Sequence, residues 1–294
     1  EVSINIASDH LQSKSFFTQL KQALSKYPAV NPKQLQLEIL ESSALSDLQM
    51  ISRIIKTCQE SLGVTIALDD FGTGYSSLTH LRSLTANTIK IDQSFVRDML
   101  DDPSDYMIID GVIRLADSFG REVIAEGVET TRHGLMLLIM GCKEAQGYDI
   151  SRPMPADDLP AWLLDYKPNE EWLAYGSTRR TAKENKIKLL RLITEHWITF
   201  FVSNIQSAPK DINHWPIMGA EQDHCGQWIK RAEKEQLFEP EGLDLLGKTH
   251  DEFHAIAQAI QSQYQEGNVD VSRKGLASLQ SAFDEMNHVL RQCE

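Results

Sequence analysis

Short β-branched runs alternate with amphipathic stretches of helical length from residue 2 to about residue 150. The runs lie at 2–6, 35–40, 65–68, 88–91, 123–125 and roughly 145–150. Between them, residues 16–27, 48–62, 105–119 and 131–140 carry apolar positions at three- and four-residue spacing. This alternation predicts parallel strands with helices outside. A closed (β/α)8 barrel has eight such units and this chain shows six. The pattern therefore predicts either an open sheet or a TIM-type barrel whose first units lie upstream of residue 1.

After about residue 156 the strand pattern stops. Residues 156–185 are polar and Pro-containing, and read as a last helix followed by a linker helix. Four long helical stretches follow, at about 184–206, 217–236, 241–266 and 271–292, punctuated by Pro216, Pro240 and Gly267-Asn268. Apolar residues such as Leu189, Leu190, Ile193, Trp197 and Phe200 keep helical spacing and predict an all-α four-helix bundle. The expected organisation is an α/β barrel over 1–165, a linker helix over 166–185 and the bundle over 186–294.

Composition narrows the function classes. With 41% hydrophobic and 24% charged residues the chain has the make-up of a soluble globular protein. A net charge of −13 argues against a nucleic-acid polymer as partner. The longest apolar run, around residues 134–142, is far too short for membrane insertion, and no secretory signal is present. Cys58, Cys142, Cys225 and Cys293 are irregularly spaced, which fits a reducing cytoplasm better than a disulfide framework. The first residue is Glu, so the chain reads as a fragment or a processed product.

Candidate chemistry concentrates at the strand ends. Asp69-Asp70 closes the apolar run 64–68 and is followed at once by Gly72-Thr73-Gly74. Adjacent buried carboxylates need neutralising, by a divalent metal or by capping the next helix. Asn5, Glu38, Lys90, Asp92, Glu126 and Gln146 fall in or at the ends of the other runs. In a parallel barrel, ligands are built at the C-terminal strand ends. Together these residues describe an oxygen-rich site for Mg²⁺ or Mn²⁺ with one cationic partner, Lys90.

The motifs Leu37-Glu38-Ile39-Leu40-Glu41-Ser42, the run 69–78, Lys90-Ile91-Asp92, Ala125-Glu126-Gly127-Val128-Glu129-Thr130 and Gln146-Gly147-Tyr148 occur in order. With Val2-Ser3-Ile4-Asn5-Ile6 before them and Ser151-Arg152-Pro153 after, they resemble the EAL family of cyclic-di-GMP phosphodiesterases over about residues 2–160. The resemblance implies a homodimeric barrel enzyme that uses two divalent ions to hydrolyse cyclic di-GMP to linear 5′-pGpG. It implies Asn5, Glu38, Asp69 and Asp70 as metal ligands, Lys90 and Glu126 as catalytic residues, and Glu41, Asp92, Glu129 and Gln146 as support. Glu41 would pin the loop 72–77. Two departures stand out: no Glu-Ala-Leu signature occurs in the 294 residues, and Asn87 stands where the family commonly has Asp. The competing reading is a catalytically inactive cyclic-di-GMP receptor or partner-binding module.

The helical half offers a second centre. His250 and His254, spaced i, i+4, share one helix face, a common way to present two ligands to Zn²⁺. The bland reading is a pair of hydrogen-bonded or solvated histidines. The order His196, Cys225-Gly226-Gln227-Trp228, His250-Asp251-Glu252-Phe253-His254 resembles the chemoreceptor zinc-binding (CZB) domain over about residues 186–294. That resemblance implies one zinc held by His196, Cys225, His250 and His254, with Cys225 also open to oxidation. Control of the barrel by zinc or redox state in the bundle is the expected regulation.

Overall fold

The structure, a computed structural model, describes residues 1–42, 48–73, 78–235 and 238–292, so Cys293 and part of the 72–77 loop lie outside it. The chain divides into two compact units: residues 1–97 with 105–169, and residues 98–104 with 170–294.

The first unit holds six strands: β1 (Val2–Asn5), β2 (Leu35–Leu40), β3 (Thr65–Phe71), β4 (Thr88–Ile91), β5 (Glu122–Ala125) and β6 (Glu144–Ala145). They form one all-parallel sheet in sequential order, with β1 and β6 at its edges. The described strands thus make a half-barrel rather than a closed one. Helices α1 (Ser8–Leu11), α2 (Phe16–Lys26), α3 (Leu48–Leu62), α4 (Leu78–Ser83), α5 (Gln93–Asp98), α6 (Pro103–Ser118), α7 (Thr131–Met140) and α8 (Leu159–Asp165) accompany them. Ile51, Ile55 and Cys58 on α3 are buried at helical spacing, and every residue of β4 is buried. Burial on both faces is what helices on a parallel sheet produce. By contrast β1 pairs, among the described strands, with β2 alone, and its Val2 and Ile4 stay exposed.

Strand β3 runs three residues further than its apolar pattern. Its register with β4 shifts between Leu68 and Phe71, and Asp70 takes a left-handed φ of 53°. Asn87 ties the opposite end of the sheet: its Oδ1 accepts from Ile66 N at 3.0 Å and from Gln59 Nε2 at 2.9 Å. Its role is to join β3 to α3 and the start of β4.

The second unit contains α9 (Glu170–Gly176), α10 (Ala182–Gln206), α11 (His224–Glu235), α12 (Pro240–Gln265) and α13 (Val269–Gln292). Helix α10 starts in a reciprocal cap, with Thr181 Oγ1 accepting from Glu184 N and Glu184 Oε2 accepting from Thr181 N. Helices α10 to α13 bury one apolar core built on Phe201, Leu246, Phe253, Ala257, Leu279 and Met286. The expected helix over 217–236 begins only at His224. Carbonyls that a helix would use are taken by other helices: Ile217 O accepts from Trp197 Nε1 at 2.9 Å, and Met218 O accepts from Gln258 Nε2 at 2.6 Å.

The chain then turns tightly from Gly219 into α11, and Gly226 permits this. A Cβ there would lie 1.8 Å from the Ala220 carbonyl oxygen. In an ordinary helix Gly→Ala gains about 1 kcal/mol. Here Gly226→Ala is expected to lower the urea unfolding midpoint instead, on the order of 1–3 kcal/mol of overpacking cost.

Candidate functional site

Lys90 is the hub of the first unit's site. Carried on the fully buried β4, its Nζ lies 2.7 Å from Asp69 Oδ1, 2.9 Å from Glu38 Oε2 and 2.7 Å from Glu126 Oε1. These three carboxylates come from β2, β3 and the residue after β5, so the ammonium joins four neighbouring strands. Lys90 is 3% exposed, and Glu38 and Asp69 are each 8% exposed. Burial pulls the lysine pKa down, but its hydrogen bonds with Asp69, Glu126 and Glu38 outweigh that and hold it above its ordinary value. The ammonium stays charged.

Consecutive residues of a regular strand point to opposite faces. The irregularity in β3 removes that restriction, because the left-handed Asp70 turns its side chain back toward its neighbour. Carboxylate oxygens of Asp69, Asp70 and Glu126 accordingly fall within 4.8 Å of one another. Burial, then the charges of Asp69 and Asp92, hold the Asp70 carboxyl above its usual range. Burial lifts Glu126 as well, against the opposing pull of Lys90. One ammonium among Glu38, Asp69, Asp70 and Glu126 leaves negative charge in excess.

The donor chemistry fits hard cations. The Asn5 amide sits 3.2 Å from Glu38 Oε2 and 3.3 Å from Asp69 Oδ2. With nitrogen toward them it donates two hydrogen bonds. With its carbonyl toward them, three oxygens make a cradle of the kind Mg²⁺ or Mn²⁺ takes. Asn5, Glu38, Asp69, Asp70, Lys90 and Glu126 are therefore brought together as a set.

The supporting residues are less uniform. Glu41 is buried, and its Oε2 accepts from Gly72 N at 2.8 Å, holding the first residue of the loop that follows β3. Gln146 Nε2 donates to Glu126 Oε1. That bond depends on a close backbone crossing, since a Cβ on Gly147 would meet Val128 backbone atoms at 2.2 Å. Asp92 Oδ1 accepts from Ser94 N at 2.9 Å at the start of α5 and also borders Asp70. Glu129 is exposed on the loop after β5.

In the helical unit the sequence-predicted zinc set separates. His250 and His254 do share a buried face, with ring centroids 4.5 Å apart. His196 instead places Nε2 2.9 Å from Asp101 Oδ1, a residue of the same unit. Cys225 is wholly buried in the apolar core. It is the second residue of α11, and its sulfur is not part of the cluster of ligand atoms that the two histidines form. The residue that meets them is Asp223, which the sequence reading missed. Its position just before a helix start was the available signal.

Removing the hub charge tests the first site. Lys90→Met is expected to cost roughly 3–5 kcal/mol in chelator, as a buried partner loss. Mn²⁺ should restore part of the lost thermal stability. An unchanged melting temperature in chelator would contradict the charge balance described here.

Comparison with known proteins follows the same boundary. Residues 1–153, just over half of the chain, match the EAL domain family. A cyclic di-GMP phosphodiesterase of Pseudomonas aeruginosa is 38% identical over 162 residues, which are 55% of this chain and 27% of that protein. The probable cyclic di-GMP phosphodiesterase PdeN of Escherichia coli is 39% identical over 160 residues, 54% of this chain and 30% of its own. The chain thus spans under a third of the length of these relatives. Among solved structures, the EAL domain of Mycobacterium smegmatis DcpA is 35% identical with a TM-score of 0.53, covering 57% of this chain and 74% of that one. The MucR phosphodiesterase in complex with c-di-GMP is 33% identical with a TM-score of 0.52, covering 54% and 64%. The chain belongs to the EAL domain family.

Proposed function

We propose that the first unit hydrolyses cyclic di-GMP to linear 5′-pGpG at the Lys90 site. The observation that carries this reading is the convergence of Glu38, Asp69 and Glu126 on one buried ammonium. Relatives named as cyclic di-GMP phosphodiesterases, and a related structure holding c-di-GMP, support the substrate. Asn5, Glu38, Asp69 and Asp70 would hold two divalent ions, Mg²⁺ or Mn²⁺. Bound ions of this class supply Lewis-acid polarisation of the phosphodiester and an acidified water.

The chain's own residues supply the rest. Water adds to one phosphorus, the P–O3′ bond breaks, and the freed 3′ oxygen takes up a proton. The Lys90 ammonium faces the negative charge that develops on the phosphoryl oxygens. Glu126, lifted above its usual range by burial, is suited to accept the water's proton. Gln146 orients Glu126, and Glu41 holds the loop after β3. The active species is a cytoplasmic homodimer. Its C-terminal four-helix bundle, joined through the segment around α9, regulates it by binding a metal ion.

Turnover of cyclic di-GMP by the full-length protein with Mn²⁺ tests the reading. Glu126→Gln is expected to lower kcat by at least ~100-fold, the usual scale for loss of a general base, while cyclic di-GMP binding persists. Binding without turnover in the unaltered protein would make the domain a receptor instead. Turnover that ignores metal removal from the helical unit would overturn the regulatory part alone.

A further inference from the structure

The four residues implied by the sequence resemblance are not the cluster of donor groups that the helical unit brings together. Cys225 belongs to the apolar core with Trp197, Leu246 and Phe253, and none of its surface is exposed. Its sulfur is not among the donor atoms that converge with those of His250 and His254. His196 is engaged with Asp101. In their place stands Asp223, 5% exposed, whose two oxygens do different work. Oδ1 accepts from Gly226 N at 2.7 Å and so caps α11. Oδ2 lies 3.1 Å from both His250 Nε2 and His254 Nε2.

The ring orientations sharpen the chemistry. His254 Nδ1 donates to the Met218 carbonyl at 3.2 Å. In the neutral ring this leaves the Nε2 lone pair aimed at Asp223 Oδ2, electron pair against electron pair. A backbone carbonyl on the far nitrogen is the outer-shell arrangement that fixes a metal-binding histidine. His250 and His254 are 2% and 1% exposed, and all three donor groups fall within 4.8 Å of one another. A cap alone would account for Oδ1 and leave this convergence on Oδ2 unexplained.

We infer that Asp223, His250 and His254 bind one divalent transition ion of the Zn²⁺, Co²⁺ or Ni²⁺ class through two imidazole nitrogens and one carboxylate oxygen, without a thiolate. This deepens the metal-dependent control proposed above and rests on that reading only for its biological use. With oxygen in place of sulfur, the centre loses its affinity for the softest ions and has no oxidisable ligand. It would report metal availability and not oxidant.

The test is titration of the full chain with Co²⁺ alone, followed by absorption spectroscopy. The expected result is one Co²⁺ per chain at this centre with visible d–d bands and no near-ultraviolet thiolate-to-cobalt charge transfer. Cys225→Ala should leave the spectrum and affinity unchanged. Asp223→Ala also removes the helix cap, so Asp223→Asn, which keeps an acceptor on Gly226 N, is the cleaner variant. It should weaken Co²⁺ binding by more than the roughly 10–100-fold typical of losing an outer-shell partner. A charge-transfer band that vanishes in Cys225→Ala would overturn the assignment. So would undiminished binding in Asp223→Asn, or d–d bands absent in the unaltered chain, which would leave a proton-bridged Asp-His-His cluster. Because these readouts need no turnover, they stand apart from any failure of the regulatory reading.

Discussion

One buried ammonium organises the N-terminal unit. Lys90 enters a fully buried strand only because carboxylates from three neighbouring elements reach it, and those carboxylates are tolerable only because it is there. The arrangement is locally balanced but not neutral. Among the described residues, Glu38, Asp69, Asp70 and Glu126 outnumber the Lys90 ammonium they surround, so the site is poised for further positive charge. A site with excess negative charge, hard oxygen donors and a fixed ammonium is suited to hold divalent ions and a phosphodiester together. This is the physical root of the proposed hydrolysis.

A second constraint is the irregularity in β3. A regular strand would send Asp69 and Asp70 to opposite faces, one into the half-barrel's site and one away from it. The register shift and the left-handed Asp70 bring both to the same side. Asp tolerates that conformation better than most residues, which makes it the suitable type for the turned position. Gly147 does comparable work at the next strands by letting the Glu126 loop and Gln146 cross closely.

Much of this was legible in the sequence. Parallel strands announce themselves as short buried runs, and polar residues at their ends stand out against apolar surroundings, as Glu38, Lys90 and Glu126 did. The β3 irregularity was not legible, because no period marks a strand that turns a side chain back on itself. The helical unit shows the same limit. Spacing of four residues fixed His250 and His254 on one face, but spacing cannot say which residue of the turn before α11 faces them. That choice depends on where the helix begins. Carbonyls of Ile217 and Met218 are engaged by Trp197 and Gln258, so the helix starts seven residues later than its apolar pattern suggests. Asp223 is thereby left at the cap and Cys225 is carried into the core.

Anomalous scattering from crystals of the protein grown with Mn²⁺ tests the central claim most directly. Manganese peaks are expected among Asn5, Glu38, Asp69 and Asp70, which would hold the ions, with Lys90 retained beside Glu126. A site in which Lys90 keeps all three carboxylates and no manganese peak appears near Asp69 would contradict it.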